Sequence, residues 1–182
     1  MGTSWTSAHE MVVRVARPDD AEAILAIYGP IVSDTVISFE EEVPTEGEIR
    51  ARIEASHVWL VAEVAGQVAG YAYASRFHPR AAYRWSVEVS IYLADGHRGV
   101  GLGRTLLAEL LERLTERGFV NAFAGTTLPN PASVKLFESF GFTKIAHQKG
   151  VGFKLGAWHD VGWWQIQLRP PEPPPVLVDR RE

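Results

Sequence analysis

The chain has 182 residues, 46% hydrophobic and 10% aromatic, which is enough for one domain with a sizeable core and too apolar for a disordered or disulfide-stapled chain. Eighteen Lys and Arg against 22 Asp and Glu give a net charge of -4, so no nucleic-acid or anionic-membrane partner is expected, and the partner is expected to be a small molecule. With no cysteine, the chain has no disulfide, no thiolate metal site and no cysteine nucleophile.

Residues 1–11 carry no basic region followed by an apolar run, so they are expected to be an N-terminal extension rather than a signal peptide. No apolar stretch approaches the roughly 18 residues needed to span a bilayer, and a cytoplasmic protein is expected. The apolar run 11–16 predicts a strand. Pro18-Asp19-Asp20 then predicts a helix start, with Ile24, Ile27 and Tyr28 at helical spacing. Thr45-Glu46-Gly47-Glu48 is a capping-box pattern opening a helix buried on Ile49 and Ile53. Runs 58–64 and 67–74, joined by Ala65-Gly66, predict a tight antiparallel hairpin.

From Trp85 to Leu93 the residues alternate. Ser86, Glu88, Ser90 and Tyr92 share one face, and Val87, Val89, Ile91 and Leu93 the other. Leu106, Leu107, Leu110, Leu111 and Leu114 form the stripe of the longest helix, which Gly118 ends in a left-handed cap. A strand over 119–126 completes a strand–helix–strand unit, normally a parallel crossover. Asn130-Pro131 predicts an N-cap and first turn, with Val134, Phe137 and Phe140 inward and Gly141 as the stop. Strands over about 143–149 and 158–168 close the sheet. Pro170, Pro171, Pro173, Pro174 and Pro175 then give an extended tail over 169–182. The class is α+β, with a mixed sheet of six or seven strands and helices on both faces; residues 12–168 make the domain.

The chemistry centres on Arg98-Gly99-Val100-Gly101-Leu102-Gly103-Arg104, between a strand and the leucine-rich helix. Glycines admit a close ligand and the unpaired amides at a helix start suit a pyrophosphate, although a plain glycine-rich turn has the same composition. A P-loop is excluded because Arg104-Thr105 stands where Lys-Ser or Lys-Thr is required. A dinucleotide fingerprint fails because Leu106, or Arg104 in the alternative register, replaces its third glycine. Glu88 lies mid-strand among apolar neighbours, where a carboxylate is costly unless it has a task or a partner; a base and an arginine-paired structural glutamate both fit. The histidines form no local pair with metal-ligand spacing, and no metal is expected.

Arg98, Gly101 and Gly103 match the acyl-CoA loop of the GNAT N-acetyltransferase superfamily, which the chain resembles over about 12–168. Within it, the chain is similar to phosphinothricin and methionine-sulfoximine N-acetyltransferases. That likeness rests on Trp59-Leu60-Val61-Ala62-Glu63-Val64, Ala69-Gly70, Ala82-Tyr83, Leu128-Pro129-Asn130, and Gly152-Phe153-Lys154 running to Trp158-His159-Asp160-Val161-Gly162. The resemblance implies a mostly antiparallel sheet, acetyl-CoA as co-substrate, and N-acetylation of a small amino acid analogue. Phosphinothricin is the first candidate and methionine sulfoximine or sulfone the second. A peptide or protein amine, or a CoA-binding module without turnover, is the alternative.

The resemblance also implies the roles. Glu88 is the general base, because attack on a thioester needs a neutral amine. The strand backbone at Ile91, Tyr92 and Leu93 pairs with the pantetheine arm, and Arg98, Gly99, Val100, Gly101, Leu102, Gly103 and Arg104 hold the pyrophosphate. Asn130 and Ser133 contact the cofactor arm, although Asn130 also reads as a plain helix cap. His78, Arg80, Tyr83, Arg84 and Ser90, with Glu88, bind the acceptor, guanidinium being suited to a second anionic group; a solvated basic loop is the bland alternative. Related enzymes often have Lys or Arg where His78 stands. Phe137 departs further, since relatives place a histidine there, or a tyrosine nearby that protonates the leaving thiolate, and phenylalanine carries no proton to give. A homodimer is implied as well.

Overall fold

The computed structural model describes residues 11–171, 173, 176 and 177. The N-terminal extension, apart from Met11, and much of the proline-rich tail therefore lie outside the described residues. Among the described residues, seven strands form one sheet in the order β1-β2-β3-β4-β5-β7-β6. They are β1 (Met11–Val15), β2 (Val58–Val64), β3 (Gln67–Arg76), β4 (Ser86–Leu93), β5 (Asn121–Leu128), β6 (Thr143–Lys154) and β7 (Ala157–Gln167). Only β4 and β5 run parallel; every other neighbouring pair is antiparallel. The helices are α1 (Ala21–Asp34), α2 (Glu46–Ala55), α3 (Leu102–Glu116) and α4 (Pro131–Ser139).

The local signals act as their chemistry requires. Thr45 and Glu48 exchange hydrogen bonds across the first turn of α2, at 2.7 Å from the Thr45 amide to Glu48 and 3.2 Å from the Glu48 amide to Thr45 Oγ1. Ala65 and Gly66 both take positive φ, 53° and 77°, which matches the twist of a two-residue hairpin. Pro18–Asp20 forms a 3-10 turn, and α1 proper begins at Ala21.

The sheet separates two apolar layers. On one side α3 inserts Leu106, Leu107, Leu110 and Leu114 against Leu60, Ala72, Val87 and Val89, and Phe137 of α4 joins this layer. Each such leucine contributes about 1.5–3 kcal/mol of transfer free energy. On the other side Ile24, Ile27, Tyr28 and Val32 of α1 and Ile49 and Ile53 of α2 cover Trp59, Val61 and Tyr71. Leu177 packs back onto the α3 layer, so the tail returns to the core at that point.

β6 runs to Lys154, five residues past the expected end, and turns through Leu155 and Gly156, at φ 50° and 79°. The expected boundary at 149 reflects Gly150 and Gly152, which break the apolar alternation. The structure absorbs them in an irregularity of the ladder between Gln148 and Gly152, after which pairing resumes.

Candidate active site

β4 and β5 pair only from Ser86 to Glu88, opposite Asn121 to Phe123. Beyond that point the two strands separate. β4 continues on β3 to the Leu93–Gly70 register, so its edge from Val89 to Leu93 has no strand partner on the β5 side. The crossover element, α3, packs its leucine stripe on β2, β3 and β4, and its first turn lies beside Gly70 and Leu93 at the end of the open edge. A wedge-shaped opening therefore forms where a parallel pair ends early. Its exposed backbone can accept an extended ligand by added-strand pairing, which is the arrangement expected for Ile91, Tyr92 and Leu93.

Glu88 sits at the last paired register, between Ser75 on β3 and Phe123 on β5. It is half-buried, and burial raises its carboxyl above the usual glutamate range. Among the described residues it has no hydrogen-bond or ion-pair partner, which removes the arginine-paired alternative. Ser90, two residues on, has its hydroxyl against Tyr73, whose phenol burial also pushes upward. Tyr92 packs between Tyr28 at 5.1 Å and Tyr71 at 5.3 Å on the same face.

At the wide end of the wedge, Gly99 and Gly101 have φ of 80° and 90°, and an added Cβ at either would meet nothing within 4 Å. Gly101 is the N-cap of α3, and its carbonyl accepts from the Thr105 amide at 3.1 Å. The amides of Leu102, Gly103 and Arg104, in the first turn, therefore lack helical acceptors and are available to an anion. Gly103 serves packing instead, 3.5 Å from Leu93 and Leu136 at its Cβ position. Val100 is exposed, and Leu102 is buried. The Arg98 guanidinium lies 3.5 Å from Asp95 and is exposed. That of Arg104 turns onto α4, 3.2 Å from Ser139 Oγ and over the Phe140 ring. Asn130 caps α4, its Oδ1 accepting from the Ser133 amide at 3.1 Å. These features fit acetyl-CoA: an open strand edge for an amide-bearing arm, and a left-handed glycine turn delivering free amides for a pyrophosphate.

The expected acceptor residues lie in the loop that leads into β4. His78 and Tyr83 rings stand 4.6 Å apart, and Arg84 is folded back, its Nε donating to the Ala81 carbonyl at 2.9 Å while its guanidinium covers Trp85. Arg80 is exposed, and among the described residues its guanidinium has no ion pair. Phe77 joins this loop to the Glu88 face, stacking on Phe123 at 4.0 Å and meeting Trp163 edge-on at 6.4 Å. Trp163 in turn lies across Gly125, where a Cβ would be 3.0 Å from its ring.

This aromatic wall was not singled out from sequence. Its members come from three different strands or loops, and only the sheet register brings them together; the pairings Glu88–Phe123 and Gly125–Trp163 are what place them on one face. Phe137, by contrast, is core, packed against Phe142 at 5.2 Å. A separate groove of about 750 Å³ between α1 and the β2–β3 turn takes in Leu93 and Arg98 but neither Glu88 nor Gly101.

Residues 13–163 match the family model described as an acetyltransferase (GNAT) domain. The chain is 42% identical over 161 residues to the phosphinothricin N-acetyltransferase of Alcaligenes faecalis, covering 86% of this chain and 82% of that protein. It is 35% identical to the L-methionine sulfoximine/L-methionine sulfone acetyltransferase of Salmonella typhimurium, over 87% of this chain and 95% of the other. Among solved structures, a GNAT superfamily phosphinothricin acetyltransferase from Sinorhizobium meliloti in complex with acetyl-CoA superposes with a TM-score of 0.86 at 36% identity. That match covers 93% of this chain and 97% of the other.

Proposed function

The chain belongs to the GNAT acetyltransferase family, and on that premise we propose that it transfers the acetyl group of acetyl-CoA to the amino group of a small amino acid analogue. L-Phosphinothricin is the first acceptor and L-methionine sulfoximine or sulfone the second. The observation that carries this reading is Glu88, a half-buried carboxylate without a partner among the described residues, standing where β4 and β5 part. The names of the similar enzymes support the choice of acceptor.

Acetyl-CoA supplies an acetyl thioester activated for attack. The first-turn amides of α3 and the Gly101 turn bind its pyrophosphate, and the open edge at Ile91, Tyr92 and Leu93 aligns its arm along β4. Glu88 takes a proton from the acceptor ammonium, directly or through a water, and a carboxyl with a raised pKa is better matched to that work near neutral pH than an ordinary glutamate. Arg80 and His78 meet the acceptor's anionic groups, while Phe77, Phe123 and Trp163 exclude water beside the amine and receive its apolar part. Phe137 gives no proton, so the departing thiolate takes one from water or Ser133.

The enzyme works in the cytoplasm, where acetyl-CoA is available, and as a homodimer. Dimerisation is supported by the exposed apolar face of the β6–β7 hairpin, where Val151, Phe153, Leu155 and Trp158 are 51%, 55%, 60% and 67% exposed. A thiol-release assay with the two acceptors, and with a peptide amine for comparison, tests the reading. Release of CoA with phosphinothricin or methionine sulfoximine is expected. Turnover of the peptide alone, or binding of acetyl-CoA with no amine acetylated, contradicts it.

A further inference from the structure

Lys154 is 7% exposed, and its Nζ donates to two main-chain carbonyls, Val32 at 2.6 Å and Ser38 at 2.7 Å. Val32 lies in the last turn of α1, where carbonyls have no helical donor and a cation is favoured. Ser38 belongs to the segment after that helix. Lys154 itself is on β6, in the other half of the sheet. The registers Gly152–His159, Phe153–Trp158 and Lys154–Ala157 all lie beyond the last β5–β7 register, Leu128–Asp160. The hairpin therefore overshoots the end of β5 and reaches α1, which packs on β4 through Tyr28 and Tyr92.

By strand alternation from Trp163, His159 and Ala157, and with them Gly152 and Lys154, share the face of Glu88. Two further contacts fix the same crossing. The Phe39 ring is seated on Gly152 so closely that any Cβ there would collide with it, and it stands 6.3 Å from the His159 ring. Behind it Tyr28 bonds to Ser38 at 2.7 Å and to Glu40 at 2.9 Å, and Arg52 holds Glu40 at 2.7 Å. Since β4 and β5 pair over only three residues, this is a second tie between the two halves of the sheet, on the side where Glu88 is presented.

We propose that Lys154 is a positioning residue for the acceptor: its ammonium latches the distal β6–β7 hairpin onto the end of α1 and the 35–45 segment, roofing the open sheet face in front of Glu88. This rests on the acetyl-transfer reading above for its catalytic consequence, but the latch itself does not. The thioester side, built from the β5-side edge of β4 at Ile91, Tyr92 and Leu93 and from the α3 turn, contributes no residue to the latch. Loss of Lys154 is therefore felt by one substrate and not by the other, which a general loosening of the fold does not produce.

The test compares full-length wild type with Lys154→Met, and with Phe39→Ala, which leaves the ammonium in place and removes the ring from its seat on Gly152. Hydrogen exchange is expected to speed up about tenfold or more in 35–45 and 150–160 of Lys154→Met and to stay unchanged at 98–104. With phosphinothricin, the acceptor KM is expected to rise about tenfold in Lys154→Met, the scale of a lost hydrogen bond to a charged group, and to rise also in Phe39→Ala, with the acetyl-CoA KM within about twofold of wild type in both. Unchanged exchange in 35–45 removes the latch. Faster exchange with an unaltered acceptor KM, or an equal rise in both KM values, removes its role in positioning. If wild type acetylates neither amino acid analogue, the functional reading fails, and the exchange comparison still upholds or removes the latch.

Discussion

Glu88 combines two properties that a structural residue rarely has together: burial enough to raise its carboxyl and, among the described residues, no partner to offset the cost. Because its folded pKa is raised, the stability it contributes is fully present below the ordinary glutamate value of about 4.3 and is lost as pH rises through the folded value. Glu88→Gln is therefore expected to melt roughly 1–3 °C above wild type at pH 7–8, with the difference vanishing near pH 4. A thermal melt series across that range checks it, and a gain that persists in acid speaks against burial of charge as the cause. Glu88 was legible from the alternation of 85–93, since a lone carboxylate among β-branched residues stands out. The roles of Phe77, Phe123, Trp163 and Lys154 were not: Lys154 stood only as part of the Gly152-Phe153-Lys154 motif, and each of the four acquires its place through registers and contacts with residues up to 122 positions away.

The element to which we assign the cofactor's pyrophosphate is the turn into α3. Gly101 holds φ near 90°, which a β-branched side chain adopts only with strain, and the space beside it is open. Gly101→Val is expected to fold on the intact leucine stripe and yet lose the stabilisation by acetyl-CoA, about 2.7 kcal/mol at a hundred times Kd, that wild type and Glu88→Gln both show. An undiminished thermal shift in Gly101→Val would move the pyrophosphate elsewhere. Most elements were readable because their signals are short-range: the Thr45–Glu48 box, the Ala65-Gly66 turn and the Asn130 cap. The long β6 was less so. Gly150 and Gly152 look like strand breakers, and the reason for Gly152, the ring of Phe39 against its backbone, comes from a segment more than a hundred residues earlier.

At the scale of the molecule, one short parallel pair inside an otherwise antiparallel sheet creates the wedge, and helices on both faces hold it open. The same topology leaves the long β6–β7 hairpin protruding with its apolar side chains outward, and Trp158→Lys is expected to convert a dimer to a monomer in light scattering. A wild-type monomer at micromolar concentration would contradict the dimer. The central claim, acetyl transfer with Glu88 as base, is tested most directly by the rate of the acetyl-transfer step as a function of pH in wild type and Glu88→Gln, measured in a single turnover with phosphinothricin. The account predicts a loss of roughly 10²–10⁴-fold at neutral pH, with part of it recovered in alkaline buffer as the amine deprotonates unaided. A folded Glu88→Gln enzyme that transfers acetyl at the wild-type rate at neutral pH would contradict it.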